Sequence, residues 1–179
     1  MHRIEGVLGG VDYHQFYVLA DEPGAYPDAY PTGGPPNRLL ATTGSREAVC
    51  VTTGIAMGVV RLGIELLDAP PLRLDGSREW EAVEEASFEA FTPRARVVLL
   101  MSAAEPPFDD FPLPTGPGWY RVRGHATGRS VDFDSVVTDN PHEEHLLQVW
   151  PADGFEPSTE LRADDPWANQ HYAPDPAQG

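Results

Sequence analysis

The chain has 179 residues, 41% of them apolar, with 19 prolines and 17 glycines. That composition suits one folded domain of many short elements and excludes wholesale disorder. The formal net charge of −16, 28 acids against 12 bases that are all arginine, disfavours direct contact with nucleic acid or an anionic membrane and permits a basic partner.

Smaller features narrow the setting. The absence of lysine beside abundant Ala, Gly, Pro and Arg reflects GC-rich coding. No stretch approaches the ~18 uninterrupted apolar residues that a membrane span needs. Met1-His2-Arg3-Ile4-Glu5 places an acid where a signal peptide would begin its apolar run, so a cytoplasmic location is expected. The lone Cys50 excludes an internal disulfide and, inside Ala48-Val49-Cys50-Val51, reads as a small buried hydrophobe.

In chain order, the first predicted strand is Val11–Leu19, rich in aromatic and β-branched residues. Residues 21–37 follow, a long loop with five prolines and the tyrosines Tyr26 and Tyr30. Short strands are expected at Arg38–Thr42 and Glu47–Thr53. In Val59–Leu67 the period is two: Val60, Leu62, Ile64 and Leu66 alternate with Arg61, Gly63 and Glu65, one face for a core and one for water. Trp80–Phe91 has helical propensity without an apolar helical stripe and is assigned to strand. Further strands are predicted at Arg94–Leu100, Gly118–Ala126 and Glu144–Trp150. The expected fold is mainly β, an antiparallel sandwich of about eight short strands or a small barrel, with little helix. Residues 1–152 form its body, and 153–179 an acidic, proline-punctuated tail that packs on it or is partly disordered.

No catalytic constellation emerges, and neither a cofactor nor a metal is expected. His142-Glu143-Glu144-His145 spaces its histidines three apart, where a zinc helix needs four, and Pro141 opposes helix upstream. Asp132-Phe133-Asp134 with Asp139 lacks the glycine and closing glutamate of a calcium loop. Gly-x-Ser-x-Gly and phosphate-binding glycine loops are absent, so an enzyme is unsupported, although dispersed hydrolytic carboxylates have no sequence signature. Arg121 and Arg123 share a strand face and are expected to answer acids on a neighbouring strand.

Residues 130–179 hold 11 acids against Arg162 alone. Asp132, Asp134, Asp139, Glu143 and Glu144 are the candidate partner-binding residues, carboxylates for a basic protein. The segments Trp119–Arg129 and Glu144–Ala152 resemble an uncharacterised β-rich protein family of GC-rich bacteria. The early Tyr13-His14-Gln15-Phe16 pattern is similar to that of the competence J-type inhibitors of a DNA-entry nuclease. The resemblance carries over no functional residues. The functional expectation is an acidic protein-binding module, an inhibitor or immunity protein against a basic enzyme such as a nuclease or toxin. The alternatives are a β-sandwich binder of a small molecule or carbohydrate, and a hydrolase with dispersed carboxylates.

Overall fold

A computed structural model describes residues 2–22 and 39–166. Twelve strands run in chain order: β1 (His2–Asp12), β2 (Gln15–Leu19), β3 (Leu40–Thr42), β4 (Ala48–Thr52), β5 (Met57–Leu66), β6 (Ala82–Ala90), β7 (Arg94–Val98), β8 (Phe111–Pro112), β9 (Gly118–Thr127), β10 (Val136–Val137), β11 (Glu144–Pro151) and β12 (Thr159–Ala163). The main path of the sheet is β12-β6-β9-β11-β5-β1-β2-β4-β3, with β7 and β8 branching from β2 and β10 pairing with β5.

The expectation of a mainly β fold with little helix holds, and two details are corrected. One continuous sheet curls into a half-barrel where two stacked sheets of about eight strands were expected. It is also mixed: β11 and β10 run parallel to β5 while most other pairs are antiparallel. The predicted loop with Tyr26 and Tyr30 lies outside the described residues, as does the end of the acidic tail.

The core forms inside the curl. On β5 the alternation works as its sequence demands, with Val60, Leu62, Ile64 and Leu66 all buried. They meet Ile4 and Leu8 of β1, Leu147 and Val149 of β11, and Tyr120 and Val122 of β9. Cys50 is buried too, and loss of water pushes its thiol up to about 12.

The two arms of the curl meet where β3 crosses β6. The Leu40 N–H donates to Glu84 Oε2 at 2.8 Å. The other oxygen, Oε1, has no hydrogen-bond partner among the described residues. Burial raises the Glu84 carboxyl to about 7. Gly124 faces the same crossing, and a Cβ there would lie 2.9 Å from the Leu40 side chain.

On the outer face, residues 67–81 lie across the sheet, seating Trp80 and Leu74 on Val83 and Leu146. Beneath this cover His125 receives the Asp75 N–H at Nε2 (3.4 Å), and its Nδ1 lies 3.4 Å from Leu146 O. The ring is therefore neutral with its proton on Nδ1, and burial lowers its pKa to about 4. Arg121 and Arg123 both reach Glu85 on the neighbouring β6, at 3.2 and 2.8 Å, as their shared face predicts. Their remaining N–H groups hold the carbonyls of Glu156, Pro157, Pro71 and Arg73, fastening two loops to the sheet. Among the described residues no helix is long and apolar enough to cross a membrane.

Candidate partner-binding surface

Four of the five predicted acids sit in one loop, residues 128–143, that leaves β9, pairs briefly as β10 and enters β11, where Glu144 is the first strand residue. The loop lies flush against the β4–β5 turn because two glycines make room. A Cβ on Gly54 would fall 1.7 Å from Arg129 O, and one on Gly58 would fall 1.8 Å from Val137 O. Backbone hydrogen bonds complete the seam: Asp134 N–H to Gly54 O at 3.0 Å, and Ala56 N–H to Ser135 O at 3.0 Å.

Glu143 proves to be the brace beneath the loop and not part of its outer surface. It is 1% exposed. Its carboxylate accepts the N–H groups of Gly54 and Ile55 at 3.0 and 3.1 Å and lies 2.7 Å from His145 Nε2. A carboxylate only accepts, so that histidine carries its proton on Nε2, leaving Nδ1 unpartnered among the described residues. Strand parity explains the burial: 143, 145, 147 and 149 share the face that turns into the curl, where Leu147 and Val149 belong to the core. That signal was present in the sequence.

A second brace is a fully buried ion pair, Arg129 Nε to Asp165 Oδ2 at 2.6 Å, with Arg129 also reaching Thr52 O. It ties the root of the loop to the residues that follow β12. Neither member carried a signal in the sequence, because a buried Arg–Asp pair so far apart in the chain follows only from the fold.

The other predicted acids face outward in differing degree. Asp134 is exposed and lies 3.1 Å from His14 Nε2. Asp132 is half-buried, with His142 Nδ1 at 2.8 Å. Asp139 is exposed and has no ion-pair partner among the described residues. Glu144, at the start of β11, is paired with Arg78 of the segment that covers the outer face of the sheet. The structure therefore leaves Asp132, Asp134 and Asp139 on one loop that is braced against the β4–β5 turn. It turns Glu143 inward and commits Glu144 to an internal ion pair. His142 and His145 lie in different surroundings, one exposed and one buried.

The loop's neighbour across β5 is the β1–β2 hairpin, whose turn is Tyr13-His14. The predicted single strand Val11–Leu19 is in fact interrupted here. Neither residue is a customary turn former, yet both adopt left-handed backbone, with φ of 49° and 60°. Phe133 stacks on His14 with ring centroids 6.0 Å apart.

No family model and no curated protein matches the chain. Among solved structures, the chain is similar to ComJ from Bacillus subtilis, an inhibitor of the DNA-degrading activity of NucA, at a TM-score of 0.51 and 12% identity. The alignment covers 85% of this chain and 100% of ComJ. A second similar structure is the product of crocagin biosynthetic gene J, at a TM-score of 0.44, 14% identity, and 84% and 99% coverage. At 12% identity the ComJ likeness shows a shared fold; at a TM-score of 0.44 the other adds nothing to it.

Proposed function

We propose that this chain is an acidic protein-binding module that inhibits a basic enzyme of the nuclease or toxin kind. The observation that carries this reading is the fold shared with ComJ, itself a nuclease inhibitor, in a chain of net charge −16. A field of that sign speeds encounter with a basic protein and selects against acidic ones. Carboxylates on a braced loop are suited to occupying a groove that otherwise takes phosphates. Asp132, Asp134 and Asp139 supply the charge nearest the partner, while Glu143 holds their loop from beneath and Glu144 stiffens the start of β11. Residues 153–179 are read as an acidic extension of the 1–152 body, its described part joined through β12 and Asp165. A cytoplasmic setting accompanies this reading.

The test is affinity capture from lysate of the source cells at about 50 and 500 mM salt, a span over which charge-driven association weakens strongly. The expected result is a basic enzyme retained at low salt and released at high salt, with its activity suppressed while bound. Recovery of no basic protein at low salt would count decisively against the proposal.

A further inference from the structure

Four of the five non-glycine residues with left-handed backbone among the described residues gather at one end of the sheet: Tyr13, His14, Asp134 and Asn140. The fifth, Arg46, lies in the β3–β4 turn. Asp134, Asn140 and His14 are residue types that adopt this conformation readily, whereas the bulky Tyr13 is not, and a residue held there persists where something besides local stability selects it. At the β1–β2 turn the consequence is a tyrosine thrown outward, 69% exposed, where Asn-Gly would make the same turn without strain.

Two exposed apolar side chains lie on the strands beside this turn. Asp12, the buried residue before Tyr13, pairs with Met57, and Met57 pairs in turn with Val136 of β10. Directly paired residues present their side chains on the same face. Met57 is 47% and Val136 67% exposed, and Val131 in the same loop is 60% exposed. Asp134 lies beside this tip through its contact with His14, Asp139 is exposed in the same loop, and the sequence places no arginine between Arg129, which is buried, and Arg162. An aromatic anchor with apolar neighbours and a charged rim is the anatomy of a binding hot spot.

We propose that this tip, Tyr13 with Met57 and Val136 rimmed by Asp134 and Asp139, is the surface that docks a basic protein. Tyr13 enters an apolar recess of the partner, and the two carboxylates meet arginine or lysine side chains around it. His14 serves as a positioning residue: its contact with Asp134, 3.1 Å long, and its stack on Phe133 lock the hairpin turn to the acidic loop. The occupant follows from charge, since a rim of this sign repels a second copy of the chain and favours a cationic one. The proposal rests on the inhibitor reading for the kind of partner and adds where it binds.

Site-specific photocrosslinking of the full chain in its own cells tests it. A benzophenone amino acid replaces Tyr13 or Val136, or the exposed apolar controls Leu72, Phe91 and Met101. Adducts are identified by mass spectrometry. The expected result is one protein with an isoelectric point of about 9 or above, captured from positions 13 and 136 alone. Its yield should drop roughly tenfold when Asp134→Asn and Asp139→Asn are combined. A basic adduct from the control positions and none from 13 and 136 overturns the surface and leaves the inhibitor reading standing. Adducts from 13 or 136 to a second copy, or to a neutral or acidic protein, overturn the surface as well. If no position gives an adduct, the surface falls, and the low-salt capture decides separately whether the inhibitor reading falls with it.

Discussion

Glu84 is a buried carboxyl whose one satisfied oxygen takes the Leu40 N–H, so its charge is costly in the fold. With the folded pKa raised from 4.5 to about 7, the native state holds a proton that the unfolded chain has released. Stability therefore falls as pH rises from 4.5 through 7, by about 3 kcal/mol in total. Glu84→Gln keeps an acceptor for Leu40 and removes the titration. Its melting temperature should exceed wild type at pH 8 and match it near pH 4.5, whereas a constant offset across pH would refute the assignment. His125 gives the opposite slope on the acid side. Its folded pKa of about 4 lies below the usual 6.5, so the unfolded chain takes up the proton first and stability is lost as pH falls through that window. His125→Asn should flatten this acid limb in pH-dependent thermal melts. Arg129→Met leaves Asp165 charged and buried without its guanidinium, and urea unfolding should show a loss of about 3–5 kcal/mol.

The hairpin and the acidic loop carry the functional argument among the elements. Replacing Tyr13-His14 with Asn-Gly suits the left-handed turn better. We expect the pair to gain about 1 kcal/mol in denaturant unfolding while partner affinity drops, a split that a purely structural turn would not produce. How far these elements were legible depended on their surroundings. On β5 the alternation of Val60, Leu62, Ile64 and Leu66 with Arg61 and Glu65 was visible because a single face is buried. β1 was hidden because Gly6, Gly9 and Gly10 dilute its pattern and a bulge between Leu8 and Val11 shifts its parity. The turn was hidden because Tyr13 is a strand former flanked by strand-like residues and no glycine or asparagine marks the bend. β12 was hidden because, as an edge strand, most of it stays exposed and it has little apolar pattern to show.

At the scale of the whole molecule, composition set the sign of the charge and the fold decided which acids face outward. The five candidate acids are neighbours in sequence. Asp132, Asp134 and Asp139 do share a loop, while Glu143 had been marked for burial by its parity with His145, Leu147 and Val149. The single curled sheet could not be read in advance, because the parallel pairing of β11 with β5 joins residues about 80 positions apart and leaves no local trace. The charge has its own consequence for association. Neutralising rim carboxylates should slow the on-rate and weaken its salt dependence, with little change in dissociation, as stopped-flow mixing would record. The most direct measurement titrates the chain into its captured basic partner and follows that enzyme's activity at low and at high ionic strength. Stoichiometric loss of activity is expected at low salt, relieved at high salt and weakened when Tyr13 becomes alanine. Full activity in the presence of saturating chain would contradict it.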